Sequence, residues 1–354
     1  MSSSRPPAPL RALIVGLGSI GQRHARNLRA LLGSDVELLA YRARGLEHVI
    51  GEGGVTSATE SVSARLGIRE FTSLDEALAR RPDVAFVCNP TRLHLAAAQR
   101  IAEAGCHLFL EKPVSDSLDG VDTLARVVED RDLVAVVGCQ LRFHPLLKRV
   151  HALLGDGALG RVTSARIACG EYLPGWHPYE DYRTSYAARR DLGGGVILTL
   201  IHEIDYAFWL FGAPRRLFAV GGHLSDLEID VEDTASILMD CGSIERSLPV
   251  HVQVDFVQRP PSRTCEITGS NGRIALDLAG GTLRRYDEAG ELAERLEAMD
   301  LERNQLFLDE LTHFLACVRR IERPLVPLAD GIATLRIALA ARDAIETQRL
   351  ATPV

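Results

Sequence analysis

The sequence predicts an α/β protein in two parts: a doubly wound parallel sheet at the N-terminal end, and behind it an α+β domain with a largely antiparallel sheet. Three observations carry that expectation. At 354 residues the chain is longer than a single hydrophobic core usually organises. Up to about residue 138, short apolar runs alternate with helix-compatible segments, as buried parallel strands and their crossovers do. From Leu217 onward, strand-like stretches follow one another across short turns such as Gly269-Ser270-Asn271-Gly272, which implies antiparallel neighbours.

The first element, Ala12 to Val15, is a continuous apolar run that enters three glycines, Gly16, Gly18 and Gly21. The first permits a tight turn, the second lets backbone approach a pyrophosphate, and the third lets the next helix pack on the strand. Ser19 and Ile20 open that helix, whose free amides and dipole favour a phosphate. With the helix-compatible run Gln22 to Leu32 behind it, this reads as the dinucleotide-binding turn of a Rossmann fold. Val36 to Tyr41 is the next strand. An NAD site usually carries Asp or Glu near its end to bond the ribose, whereas this chain has Tyr41, Arg42, Ala43 and Arg44. Arg42 and Arg44 suit a 2′-phosphate, so NADP is the expected cofactor; NAD is possible if both arginines merely solvate the strand end.

Gly45 to Thr59 reads as a surface excursion, Glu60 to Leu66 as a helix and Phe71 as a short strand. Ser73-Leu74-Asp75-Glu76 then matches a capping box opening a helix to Arg80. Val84 to Cys88 is a buried strand, followed by Asn89-Pro90-Thr91, His94 and an alanine-rich helix to about Ala104. Residues just past the carboxyl ends of parallel strands line the ligand crevice, so Asn89, Pro90, Thr91 and His94 are candidate cofactor contacts; an ordinary turn is the alternative. Gly105 stops the helix, and the strand His107 to Leu110 leads into Glu111-Lys112-Pro113. A lysine there is placed for polar chemistry beside a nicotinamide, although a lone loop lysine is usually just solvated.

The order of these elements resembles the Gfo/Idh/MocA oxidoreductase family, named for glucose-fructose oxidoreductase and inositol dehydrogenase. The resemblance lies in GLGSIGQRHARNL at 16–28, CNPTRLH at 88–94, AGCHLFLEKPVS at 104–115 and DLGGGVILTLIHEIDYAFWLFG at 191–212. It implies an NAD(P)-dependent dehydrogenase or reductase that interconverts a secondary alcohol and a ketone on a sugar, cyclitol or nucleotide sugar. Glu111 and Lys112 would then meet the cofactor, and Lys112 the substrate as well. A glycosidase that uses the nicotinamide transiently, and a non-catalytic cofactor-binding regulator, are the alternatives.

Val121 to Glu129 is a helix, and Val134 to Val137 closes a dinucleotide-binding domain at 10–138. Gln140, Arg142, Phe143, His144 and Pro145 open a substrate and oligomerisation domain, 139–328. Clefts between domains are frequent substrate sites, so Arg142 and His144 are candidate contacts, or else caps of the helix Pro145 to Leu154. Gly160 to Ala168 alternates like a half-buried strand. Tyr172 to Arg190, with Trp176, His177, Pro178, Asp181, Tyr182, Arg183 and Tyr186, reads as a binding loop for a carbohydrate-type substrate, since aromatic faces stack on sugar rings; packing or an oligomer contact is the alternative. Arg142, His177, Arg183 and Arg190 suit an anionic group on that substrate.

Gly193 to Gly195 open one helix, Val196 to Phe211, where His202 and Asp205 share a face and Glu203 points elsewhere. A histidine titrates near neutral pH and suits proton exchange with a hydroxyl, yet periodicity alone makes His202 a core residue. The family resemblance implies that His202 is the catalytic histidine and Asp205 its helper carboxylate. Many relatives carry an aspartate about one turn before that histidine; this chain has Leu198 and Thr199, which puts Thr199 at the substrate and makes Lys112 a competing acid/base. Gly280 to Asn304 is charged and reads as peripheral. Helices at about Asn304 to Arg320 and Ala329 to Gln348 end the chain, the segment 329–354 returning to the first domain by family likeness. A sheet with one face on the helices leaves the other for a partner, and the family resemblance implies a homodimer or homotetramer assembled through it.

Composition narrows the partners. A net charge of -7 without a Lys/Arg run argues against nucleic acid or an anionic membrane surface. Seven scattered cysteines contain no CxxC pair and no metal-ligand cluster, which reads as reduced thiols in a cytoplasmic protein with no metal. The opening MSSSRPPAP, within a loose tail at 1–9, has no apolar core for a signal peptide, and no segment has the roughly 18 apolar residues of a membrane span.

Overall fold

The computed structural model of the chain describes residues 9–42, 49–51, 54–57, 61–177 and 180–353. They form two compact units. The first takes the described residues up to Glu111 with Asp119–Gly138 and Phe307–Leu328; the second takes Lys112–Leu118, Cys139–Leu306 and the described residues from Ala329 onward. The division differs from the expected boundaries: Phe307–Leu328 groups with the first unit and the last segment with the second. Of the expected N-terminal tail, residues 1–8 lie outside the described residues.

In the first unit the strands are β1 (Leu10–Val15), β2 (Val36–Tyr41), β3 (Val49–Gly51), β4 (Gly54–Ser57), β5 (Ile68–Phe71), β6 (Val84–Val87), β7 (His107–Glu111) and β8 (Ala135–Gly138). The helices are α1 (Ser19–Leu32), α2 (Val62–Leu66), α3 (Leu74–Leu78), α4 (His94–Glu103) and α5 (Val121–Asp130). Six strands form a parallel sheet in the order β5-β2-β1-β6-β7-β8. Apolar runs are buried along their length, as expected of a sheet covered on both faces: every residue of β6 and β8 is buried. Because β1 lies between β2 and β6, the connections leave it in opposite directions, and the crevice at its carboxyl end is the place where such sheets take ligands. Phe86, Phe109 and Phe314 close the core, the first two stacked at 5.2 Å and the third edge-on to both. Two local expectations fail. Part of the surface excursion forms the antiparallel pair β3–β4. Ser73 stands at the N-cap of α3 without a side-chain bond to it, so the capping-box pattern is not used.

The second unit contains α6 (Pro145–Gly155), β9 (Val162–Gly170), α7 (Val196–Thr199), α8 (His202–Phe211), β10 (Arg216–Gly222), β11 (Thr234–Asp240), β12 (Pro249–Asp255), β13 (Ser262–Gly269), β14 (Gly272–Asp277), β15 (Thr282–Tyr286) and β16 (Leu292–Glu297). The sheet order is β10-β11-β12-β9-β13-β14-β15-β16, antiparallel except for the β12–β9 pair. Alternate residues such as Ile237, Val252 and Ile167 are buried, and α7 and α8 pack on β9, β11 and β12. The charged segment expected to be peripheral supplies β15 and β16. His144 caps α6 by accepting the Leu146 amide at 3.2 Å. The chain ends with α9 (Arg303–Val318) and α10 (Leu328–Thr347). Among the described residues no single helix is long and apolar enough to cross a membrane; Arg190–Thr199 and His202–Phe211 reach that length and apolarity only jointly, across a 48° bend.

Candidate active site

In the first unit, Gly16 turns the chain out of β1 with φ +93°, its amide donating to the Tyr41 carbonyl at 2.9 Å. A Cβ there would lie 2.9 Å from the Asn89 amide nitrogen, and one on Gly21 would lie 2.0 Å from the Gly16 carbonyl oxygen. Close approach of the turn to β6 and α1 therefore demands both glycines. Gly18, the N-cap of α1, is different: nothing lies within 4 Å of where its Cβ would stand. Behind it, Ser19 and Ile20 begin a helix with no side-chain cap and no acidic residue in its first turn. Open backbone, uncapped amides and the positive end of a helix dipole fit the pyrophosphate of a dinucleotide.

Around this turn the structure gathers most of the expected cofactor residues. At the end of β6, Pro90 and Thr91 lead a short turn into α4; His94 Nε2 donates to the Asn89 carbonyl at 2.7 Å, and the Asn89 Oδ1 is buried without a partner. Arg42, at the end of β2, donates to the Glu70 carboxylate at 3.0 Å, so its charge already has a counter-ion. Arg44 lies outside the described residues. Glu111, at the end of β7, accepts from His24 Nε2 at 2.7 Å rather than standing open. His24 was not anticipated. It is fully buried against Phe86 and Phe109, and its Nδ1 has no partner. Its place on the buried face of α1 is legible in the sequence; the partner 87 residues away is not.

In the second unit the expected single helix is broken. Leu200 leaves helical geometry (φ -94°, ψ 35°), and α8 restarts at His202. The Glu203 amide turns to the Leu200 carbonyl, so the Thr199 carbonyl drops out of the helical ladder and accepts the Lys112 Nζ at 2.8 Å instead. Beside that contact, Thr199 Oγ1 and His202 Nδ1 are buried and have no hydrogen-bond partner. Such atoms are costly unless something binds them. Burial above all, then the charges of Lys112, Arg263 and Arg303, hold the His202 imidazole well below the ordinary histidine range, so it is neutral at neutral pH.

The Asp205 carboxylate is hydrogen-bonded to residues other than His202. Both its oxygens accept from Arg142, Nε at 2.9 Å and Nη2 at 2.7 Å, and Arg142 also donates to Asp330 at 2.7 Å. Arg142 is completely buried. Expected at the substrate, it is instead the centre of an internal ion-pair network with its expected catalytic partner. Arg183 is likewise engaged, by Asp181 and Glu228, and Arg190 is tied to Asp230. Trp176 stands edge-on to Phe256 with its indole nitrogen buried and unpartnered. His177 is half-buried, its pKa lowered by burial and by Arg303. Pro178 lies outside the described residues. Glu203, next to His202, is buried and accepts from Arg263 at 2.8 Å; Glu171 lies 3.4 Å from the same guanidinium. Neither Arg263 nor Arg303 was anticipated, because nothing local in the sequence links them to residue 202.

Residues 10–139 match the family model of an oxidoreductase family with an NAD-binding Rossmann fold, and residues 147–275 match the GFO/IDH/MocA C-terminal domain. The chain is 29% identical over 359 residues to the myo-inositol 2-dehydrogenase of Thermotoga maritima, covering 96% of this chain and 97% of that one. It is 27% identical over 347 residues to the UDP-N-acetylglucosamine 3-dehydrogenase of Acidithiobacillus ferrooxidans, covering 95% and 97%. Its fold is similar to that of GenD2 from gentamicin A biosynthesis, solved in complex with NAD, with a TM-score of 0.78, 23% identity and coverage of 99% and 98%.

Proposed function

Because the chain belongs to the Gfo/Idh/MocA family of NAD-binding oxidoreductases, we propose that it interconverts a secondary alcohol and a ketone on a sugar, cyclitol or nucleotide sugar. The observation that carries this reading is the Lys112 ammonium held on the Thr199 carbonyl beside two buried, unpartnered polar atoms. When bound, the nicotinamide takes up or supplies the hydride. The backbone at Gly16, Gly18 and Gly21, with the Ser19 and Ile20 amides, holds its pyrophosphate, and Asn89, Pro90, Thr91 and His94 line the same end of the sheet. Lys112 polarises the reacting oxygen, and His202 takes the hydroxyl proton. A neutral imidazole beside cations is a base that readily gives its proton up again, so His202 relays it. Thr199 offers a neutral hydroxyl where relatives often carry a carboxylate. Without that carboxylate nothing offsets the lowering effect of burial and cations on the His202 pKa. Asp205 and Arg142 act by holding α8 in place, and Trp176 and His177 contribute sugar contacts.

Preference for NADP rests on Arg42, which must exchange Glu70 for a 2′-phosphate, and on Arg44. NAD requires no such exchange. Seven cysteines, none of them in a disulfide, support a cytoplasmic setting. The sheet face opposite α7 and α8 exposes Phe218, Val220 and Leu238, which supports a homodimer or homotetramer assembled through it; Val220→Arg with Leu238→Glu would then yield monomers in sedimentation. The activity itself is tested by following 340 nm absorbance with NAD and with NADP against myo-inositol, sugars, sugar acids and UDP-sugars. Reduced cofactor should appear in step with ketone. Release of a free sugar without absorbance change would identify a glycosidase instead, and binding of cofactor with no turnover a regulator.

A further inference from the structure

We infer that the second unit carries a binding site for a small α-amino acid with an apolar side chain, in a cavity between the segment just before β11 and the end of α10. The cavity measures about 230 Å³, and none of Lys112, Thr199 and His202 lines it. Pockets for drug-sized ligands begin at roughly 300 Å³, so the ligand is small.

Two guanidinium groups, of Arg190 and Arg342, and three carboxylates, of Asp230, Glu232 and Glu346, border the cavity. Elsewhere in this unit buried charges close on one another: Arg142 lies 2.7 Å from Asp205, and Arg263 lies 2.8 Å from Glu203. Here they do not. Glu232 is only 9% exposed, yet its Oε1 has no hydrogen-bond partner among the described residues. The Arg342 Nε stands 3.8 Å from it, beyond hydrogen-bonding distance. The Arg342 side chain is itself only 18% exposed, and no described residue accepts a hydrogen bond from it. Arg190 donates Nε and Nη2 to the Asp230 carbonyl, a group without net charge, so its own charge is not cancelled there.

A buried acceptor and a mostly buried fork of donors, neither of them satisfied, are costly until a ligand supplies both partners. A simple anion on Arg342 meets three carboxylates, and a simple cation on Glu232 meets two guanidinium groups. An α-amino acid carries a carboxylate and an ammonium on one carbon. Its carboxylate takes the Arg342 fork, its ammonium takes Glu232 Oε1, and the low dielectric of a buried site strengthens both contacts. Burial raises the Glu232 carboxyl above the ordinary carboxylate range, an effect that an ammonium on it opposes. Val231, buried, and Ile345, half-buried, supply an apolar wall for the side chain.

The test is titration calorimetry on the full-length protein with L-valine, with 3-methylbutanoate, which lacks the ammonium, and with 2-methylpropan-1-amine, which lacks the carboxylate. Wild type should bind L-valine with a Kd of about 1 mM or tighter, and each analogue about tenfold or more weakly. Arg342→Gln should weaken L-valine by about tenfold, with Arg342→Lys recovering part of the loss. Glu232→Gln, which keeps the shape of the side chain, should bring L-valine and 3-methylbutanoate to nearly equal affinity. Comparing the three ligands on the wild type needs no variant, so misfolding of a variant cannot mask the answer. No binding of L-valine up to about 10 mM, an analogue that binds as tightly as L-valine, or unchanged L-valine affinity in both Arg342→Gln and Glu232→Gln would overturn the inference. Calorimetry reads binding without turnover, so failure here leaves the dehydrogenase reading standing, and the reverse.

Discussion

The glycine turn after β1 and the break between α7 and α8 both present unsatisfied polar groups, but they are made of different things. The turn is built from backbone: it needs missing side chains at Gly16 and Gly21 and open space at Gly18. The break is built from one freed carbonyl and from side chains at 112, 199, 202, 203 and 263, which only the tertiary fold brings together. A backbone site is brittle to one added carbon atom and indifferent to charge. A side-chain site is the reverse, and substitutions in the two should fail in distinguishable ways.

The largest effect is expected at the break. Lys112→Ala should lower kcat/KM by about 10³-fold, about 4 kcal/mol of transition-state stabilisation, while the Kd for cofactor measured by fluorescence stays within about threefold. Next comes Asp205→Ala, which leaves Arg142 buried with Asp330 alone. Urea denaturation should show about 3–4 kcal/mol of lost stability, with turnover per folded molecule nearly retained. A catalytic collapse at unchanged stability would restore Asp205 to the role of helper carboxylate. At the turn, Gly21→Ala forces a Cβ onto the Gly16 carbonyl, and cofactor affinity should fall by about 100-fold, about 2.7 kcal/mol, with little change in kcat at saturation.

The effect that is smallest at neutral pH appears only in acid. Burial lowers His144 from the ordinary 6.5 to about 4. Between those values the unfolded chain binds a proton that the folded chain does not. Stability contributed by the neutral ring is thus fully present above 6.5 and is lost as pH falls toward 4, by up to about 1.4 kcal/mol per pH unit. His144→Gln should flatten the acid limb of a Tm-versus-pH curve by about one proton. His202 shifts in the same direction, so the acid limb of the rate profile should lie below the ordinary histidine range.

The same contrast explains what was legible in the sequence. Glycine spacing and apolar runs are local, so β1, the turn and the parallel sheet could be read directly, as could the alternating strands β9 to β14. The helix over 196–211 was legible but its break was not: Leu200 and Ile201 are ordinary helix formers, and the bend appears only in the fold. Charge pairing was the least legible layer. Arg142 was read as a ligand contact and Asp205 as the helper of His202 because they pair with each other across 63 residues, and Arg183 was read as open to a ligand although Asp181 stands two residues away. His24 and Arg303 were passed over because the groups they act on lie on other elements.

The central claim is that the turn binds the cofactor while Lys112 and His202 carry the chemistry. The most direct test is the 340 nm progress curve of cofactor-saturated Lys112→Ala beside the wild type, with a substrate that the wild type oxidises. The account predicts reduced cofactor in the wild type, stoichiometric with ketone, and essentially none from a variant that binds the cofactor as tightly. Undiminished hydride transfer in Lys112→Ala, or substrate consumed by the wild type with no absorbance change, would contradict it.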